Sequence, residues 1–311
     1  MSRPTSLTRR QALQLLTSVG TIGLSPLTTR AATNPEPLRK RIPSTGEAIP
    51  PIGMGTWITF NVGNDREARA ARAKVLKTFF AMGGRVIDSS PMYGSSEAVV
   101  GDNLETLGFP DQLFAATKVW TSGKNDGQEQ MKDSLDLWRI KKFDLLQIHN
   151  LLDWETHIET LKEMKAAGQV RYIGITTSHG RRHGEFEKIM TSVEDIDFVQ
   201  LTYNIEDRAA EQRLLPVAQE RNLAVITNRP FQRGGLFRRV GKTPLPNWAK
   251  DAHAANWPEF FLKFVISHPA VTCAIPATSK VAHMKENMSV LNGPLPDPDM
   301  RKKMAQFIDA L

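Results

Sequence analysis

The segment Arg85–Gly101, RVIDSSPMYGSSEAVVG, decides how the chain is read. Val86 and Ile87 form a short apolar run that stops on a carboxylate, Asp88. Five residues later a phenol, Tyr93, stands in the loop before Ser95-Ser96-Glu97, a polar start to a helix. A buried strand that ends on an acid and turns into a tyrosine-bearing loop places two ionisable groups at one mouth of a sheet.

On both sides of this segment short apolar runs alternate with helical patterns. Ile52–Thr56 precedes a helix predicted over Glu67–Met82, with Val75, Leu76, Phe79 and Phe80 on its apolar face. After Val86–Asp88 and its helix Ser96–Leu107 come Leu113–Lys118 with Gly127–Trp138, and Phe143–His149 with Glu155–Ala167. Tyr172–Thr176 is paired with Gly184–Met190, and Phe198–Leu201 with Ala209–Arg221. Ala224–Thr227 is followed by a long loop rich in glycine, proline and arginine, then the helix Pro258–Ser267. Val271–Ile275 is the eighth strand, and Val281–Met288 begins the last full helix. Such alternation implies parallel strands joined by crossovers. Eight units, with no GxGxxG after the first strand, favour a closed (β/α)8 TIM barrel over an open dinucleotide-binding sheet. Arg41-Ile42 and Ala48-Ile49, flanking Pro43–Glu47, predict a hairpin ahead of the barrel.

The 311 residues are 41% hydrophobic and 23% charged, ordinary for a globular chain that buries a full core. The net charge is +7, but residues 1–31 hold Arg3, Arg9, Arg10 and Arg30 and no acid, so the rest carries only 7 − 4 = +3. That excess is too small for nucleic acid to be the main partner. The single cysteine, Cys273, rules out an internal disulfide and reads as a small buried hydrophobe. Thr8-Arg9-Arg10-Gln11-Ala12-Leu13 is similar to a twin-arginine export motif, and the segment to Leu27 is too short and polar for a stable membrane span. The expectation is a signal peptide over 1–31, cleaved after Ala31, and one barrel domain over 32–311. The twin-arginine export machinery would deliver the protein folded to the periplasm; if the signal does not function, the protein is cytoplasmic.

Four strand ends carry groups suited to proton chemistry. Asp88 ends the second strand and Tyr93 follows it; Lys118 ends the third and His149 the fourth. In a barrel these ends converge on one mouth. A free phenol is a poor acid near neutrality, and an adjacent ammonium is expected to lower its pKa, with a carboxylate behind the lysine keeping it charged. Tyr93 then serves as general acid, and His149 orients a carbonyl oxygen by hydrogen bonding. None of these residues donates hydride, so a nicotinamide must supply it. The loop Phe231–Lys242, with Arg233, Gly234 and Gly235, reads as a flap over a pyrophosphate, and Thr278, Ser279 and Lys280 as a seat for a 2′-phosphate. Trp57, Met92 and Trp120 follow strand ends and are expected to wall a substrate pocket. His179-Gly180-Arg181-Arg182-His183 lacks a carboxylate or thiol, so no metal is expected there.

These residues also carry a resemblance over about 39–290 to the aldo-keto reductases. It rests on Gly53-Met54-Gly55-Thr56-Trp57, Asp88–Glu97 with Gly101, Thr117-Lys118, Ile148-His149, Gly174-Ile175-Thr176, Gln200–Asn204, and Ile275–Lys280 with Glu286-Asn287. The resemblance implies a barrel that reduces carbonyls with NADP(H), or with NAD(H), through Asp88, Tyr93, Lys118 and His149. It implies that Gln200, with Thr176 and Thr177, holds the nicotinamide amide, and that Gly55 and Thr56 line the cofactor. Asn228-Arg229-Pro230 stands where the family usually stacks a tyrosine, with Arg233 and Gly235 beyond it. His283 stands at a frequent arginine position, and Glu286 and Asn287 would hold the adenine. An alternative is an NADP(H)-binding redox-sensing or regulatory subunit with slow turnover.

Overall fold

The structure is a computed structural model that describes residues 37–178 and 180–311. The proposed signal peptide and its cleavage site, and His179, lie outside the described residues. A two-strand hairpin, β1 (Lys40–Arg41) and β2 (Ala48–Ile49), comes first. Eight parallel strands follow: β3 (Met54–Gly55), β4 (Val86–Asp88), β5 (Phe114–Val119), β6 (Phe143–Ile148), β7 (Val170–Thr176), β8 (Phe198–Thr202), β9 (Ala224–Asn228) and β10 (Val271–Ala274). Each pairs with the next in chain order, and parallel bridges Ile52–Ala274 and Gly55–Ala277 join the last to the first. This is a (β/α)8 TIM barrel.

The seam explains two glycines. A Cβ on Gly53 would lie 2.9 Å from the Val86 carbonyl oxygen and 3.1 Å from Cys273 Sγ. One on Gly55 would lie 2.9 Å from the Ile275 carbonyl oxygen. Only bare backbone lets β3 approach both neighbours closely enough to close the ring.

Helices α1 (Arg66–Ala81), α2 (Ser96–Thr106), α3 (Lys124–Trp138), α4 (Trp154–Ala166), α5 (His183–Ser192) and α6 (Leu214–Glu220) form much of the outer layer. α1 buries Val75, Leu76, Phe79 and Phe80, the face its periodicity predicts, and Asp65 caps it by accepting from Ala68 N at 3.0 Å. The long loop after β9 is partly helical, containing α7 (Gly235–Val240). α8 (Trp257–Ile266) and α9 (Val281–Ser289) precede a further helix, α10 (Pro298–Asp309), so Val281–Met288 is not the last full one. The cue was present: Asp297 accepts from Met300 N at 2.8 Å, with Pro298 in the first turn. No helix among the described residues is long and apolar enough to cross a membrane.

α10 is tied to the barrel by Arg301, which donates to the Tyr203 hydroxyl at 2.6 Å and pairs with Glu211 at 3.0 Å. Beside it His268 packs edge-on against Tyr203. Burial first, then Arg301 and last Lys40, against Glu211, hold the imidazole down to about 4. A histidine kept neutral when folded loses ground as acid protonates its unfolded counterpart. Stability should be full above about pH 6.5 and fall by on the order of 2 kcal/mol as pH drops toward 4. Urea midpoints at about pH 7 and about pH 4.5 test this, and a His268→Gln variant with an unchanged pH slope would refute it.

Inside the barrel the period of two stacks side chains in layers. The lower layers are apolar: Val86, Phe114, Leu145, Tyr172, Phe198, Ala224 and Cys273 belong to one buried cluster, with Ile42 and Ile49 of the hairpin. Glu47 accepts from Arg85 at 3.1 Å and from Tyr172 at 2.8 Å near that end. Stepping two residues up each strand leads from Val86 to Asp88, from Ala116 to Lys118, from Leu145 to Gln147 and from Phe198 to Gln200. The top layer is therefore polar, and it sits at the carboxyl ends of the strands.

Candidate active site

Lys118 is 0% exposed and Asp88 2%. The Lys118 ammonium donates to Asp88 Oδ1 at 2.6 Å and to the Ser89 carbonyl at 2.7 Å. The second carboxylate oxygen accepts from Gln147 Nε2 at 3.1 Å and Gln200 Nε2 at 2.9 Å. A buried charge pair persists only where its remaining hydrogen-bonding capacity is satisfied, and here four donor contacts converge on two groups.

The Tyr93 ring lies over this pair, with Lys118 Nζ 5.5 Å from its centroid. His149 begins a short turn just past β6, and its ring meets Tyr93 edge-on at 5.9 Å and 89°. Ser90 Oγ lies 2.9 Å from His149 Nδ1 and orients the imidazole. Asp88, Tyr93, Lys118 and His149 thus converge on one mouth. The expected electrostatics differ in sign. Burial, then the Asp88 carboxylate, push the Tyr93 phenol above its usual range, and Arg229 opposes them. Burial disfavours the charged phenolate, and the nearby Asp88 carboxylate adds like-charge repulsion to that cost.

Around the mouth Trp57 carries the Arg233 guanidinium on its face at 3.9 Å, and Trp120 sits 6.4 Å from the His149 ring. Met92 is exposed beside Tyr93. A surface cavity of about 690 Å3, lined by Glu206, Asp207, Arg208, Ala209, Glu211, Gln212 and Gln232, contains none of these groups. Its carboxylates make it a poor seat for phosphate.

Residues 51–305 match the Aldo/keto reductase family. The chain belongs to that family. Membership makes it an NAD(P)H-dependent oxidoreductase. It is 26% identical over 263 residues to the methylglyoxal reductase YeaE of Escherichia coli K12, covering 81% of this chain and 89% of the relative. It is 24% identical over 315 residues to the NADH-specific methylglyoxal reductase of the same organism, covering 86% and 93%. A Klebsiella pneumoniae aldo/keto reductase solved with NADP and acetate superposes with a TM-score of 0.73 at 24% identity, covering 85% and 93%.

The residues expected to seat a cofactor in this reductase are distributed as follows. Gln200 donates to Asp88. Thr176 Oγ1 accepts from Asn150 N at 3.0 Å, and Thr177 Oγ1 donates to the Arg181 carbonyl at 3.1 Å. Thr56 donates to Ser89 Oγ at 2.9 Å, which places its hydroxyl in the strand-end network. Asn228 is held at both ends: Oδ1 accepts from Thr202 at 2.7 Å and Nδ2 donates to the Thr177 carbonyl at 2.9 Å. Pro230 is buried, while Arg229 and Gly235 are half-buried. Thr278 is buried and accepts from Lys280 N at 3.1 Å; Ser279 is half-buried, and Lys280 and His283 are exposed. Asn287 is buried and Glu286 half-buried on α9.

Neither Arg229 nor Arg233 lies within ion-pair distance of a carboxylate among the described residues, whereas Arg69, Arg85, Arg171, Arg208 and Arg301 do. Burial, then the Arg233 charge, hold Arg229 below the arginine range, with Tyr93 and Asp207 opposing. Two neighbouring guanidinia without a counter-ion suit a pyrophosphate, so the chain's own residues fit the cofactor class.

Three contributors were not singled out from sequence. Gln147 and Ser90 act through contacts between distant strands and loops. Glu97, read as a first-turn acid, is 1% exposed behind β5, accepting from Thr117 at 2.6 Å, Ser134 at 3.0 Å and Trp138 at 3.0 Å. Burial raises its pKa against those hydrogen bonds and the Lys118 charge. Its clue was an acid between apolar positions of an amphipathic helix.

Proposed function

We propose that this reductase converts an aldehyde or ketone to an alcohol using NADPH, with Tyr93 as the general acid. The observation that carries the reading is the buried Lys118–Asp88 pair at 2.6 Å beneath Tyr93 and His149. When bound, the nicotinamide supplies hydride to the carbonyl carbon. Tyr93, protonated at working pH, gives its proton to the carbonyl oxygen as negative charge develops there. His149, oriented by Ser90, aligns that oxygen by hydrogen bonding. Lys118 and Asp88 hold the phenol from below, and Gln147 and Gln200 hold Asp88. The decisive assay is NADPH oxidation across a panel of aldehydes and ketones; no turnover of any of them would overturn the reading.

Arg229 and Arg233 are assigned to the cofactor pyrophosphate, and Thr278, Ser279, Lys280 and His283 to a 2′-phosphate. Arg233→Gln should weaken NADPH binding about tenfold and flatten its salt dependence. Fluorescence titration at two ionic strengths measures this, and unchanged affinity would remove the arginine from the seat. Equal affinity for NADH would remove the 2′-phosphate assignment.

Export through the twin-arginine route is part of the same proposal, supported by Arg9 and Arg10 and by the absence of an internal disulfide. Replacing both arginines by lysine should leave the protein in the cytoplasm on fractionation. Undiminished periplasmic protein would rule the route out.

A further inference from the structure

Arg229 stands immediately past the carboxyl end of β9, at the end of the barrel where the candidate residues gather. Its backbone φ is 52°, a left-handed conformation that a residue with a Cβ seldom takes, and Pro230 after it favours extended backbone instead. Strain of this kind persists only where the surroundings over-determine it, and it concentrates at sites of function. Here the backbone is held on both sides. The Arg229 carbonyl accepts from Asn204 Nδ2 at 3.1 Å and from Gln232 N at 2.9 Å. Asn204 is itself fixed, its Oδ1 accepting from Glu206 N at 3.0 Å and Asp207 N at 2.9 Å. Before Arg229, Asn228 is tied to Thr202 and Thr177; after it, Pro230 is buried.

This frame presents a cation to the mouth. Arg229 is half-buried, and the neighbouring acid Glu206 pairs with Arg239 instead. Its charge reaches the Tyr93 phenol, where it opposes the effects of burial and of Asp88. Arg233 differs: it is exposed, and its guanidinium lies on the Trp57 ring face at 3.9 Å. Lys118, beneath the phenol, is already paired with Asp88 at 2.6 Å. Arg229 is thus an uncompensated charge beside the proton donor. A carbonyl protonated by Tyr93 takes hydride at the adjacent carbon, with reacting atoms about 3–3.5 Å apart, so the nicotinamide ring is confined to the space beside the phenol. NADPH and NADP+ carry the same phosphates and differ by one charge on that ring, neutral when reduced and positive when oxidised. A pyrophosphate contact strengthens both forms alike. A tethered, half-buried cation beside the ring disfavours only the oxidised one.

We propose that Arg229 makes this site hold NADPH in preference to NADP+, so that the spent cofactor is released readily. This rests on the reductase reading and adds to the pyrophosphate contact assigned to the same residue. The test is tryptophan-fluorescence titration with NADPH and with NADP+, read as the ratio of their dissociation constants. Wild type should bind NADP+ more weakly by about tenfold or more. Arg229→Gln should lower the ratio about tenfold, whereas Arg229→Lys, which keeps the charge, should retain most of it. Arg233→Gln should weaken both forms and leave the ratio within about twofold of wild type. A wild-type ratio at or below one overturns the inference, and this outcome does not depend on any variant folding. A ratio unchanged in Arg229→Gln, or lowered as far in Arg233→Gln, also overturns it. Each of these leaves the reductase reading intact. No binding of either form to wild type removes the reductase reading, and the inference with it.

Discussion

Replacing Tyr93 with phenylalanine should lower kcat by about 100- to 10,000-fold while NADPH affinity stays within about twofold. The expectation follows from position and chemistry together. The phenol is a proton donor lying over the buried pair, with Lys118 Nζ 5.5 Å from its ring centroid. His149 meets the ring edge-on and is turned by Ser90. Phenylalanine keeps that packing and removes only the hydroxyl, so the change reports the proton and not the fold. Steady-state kinetics with a reactive aldehyde, paired with cofactor titration, gives the answer. Activity within about tenfold of wild type would mean that another group delivers the proton.

The second large effect is on stability. Lys118→Met should cost about 3–5 kcal/mol, because it strands a buried carboxylate whose strongest partner is gone. Asp88 would keep only the amides of Gln147 and Gln200. Converting Asp88 to Asn in the same chain removes the stranded charge while leaving an oxygen for those amides. The double variant should regain most of the lost stability and remain inactive. Urea unfolding measures both; a loss below about 1 kcal/mol for the single change would show that water or a shifted side chain rescues the site. The pair is thus expected to matter more to the reaction than to net stability, since a buried ion pair often does no better than an apolar replacement.

The four candidate residues were legible because each sits within one residue of a strand end or in the loop that follows it. Strand ends are fixed by short apolar runs, and a barrel brings all strand ends of one polarity to the same place. The helices α1 and α2 were legible from apolar periodicity. α10 was not predicted, although it begins at Asp297-Pro298 and packs Met300, Met304 and Ile308 against the core, with Arg301 adding contacts to Tyr203 and Glu211. The electrostatics of Tyr93 was misjudged because sequence places a lysine near the phenol but does not show how deeply the phenol is buried, nor that the Asp88 carboxylate adds to that cost.

The pattern that opens at Arg85–Gly101 determined by itself the barrel, the polarity of its strands and the order Asp88, Tyr93, Lys118, His149. These are properties of chain segments, set by periodicity and by what terminates each run. Only the tertiary structure decided that Gln200 reaches Asp88 across 112 residues of sequence, that Asn228 is tied between Thr202 and Thr177, and that Glu97 is buried behind β5. It also decided that Gln130 and His157 fasten the loop presenting Trp120. Such contacts join side chains from different units at distances of about 3 Å, where a shift of one residue in strand register exchanges the inside of the barrel for the outside. The chemistry was written along the strands, and the electrostatic balance and the shape of the mouth were set by how the strands close.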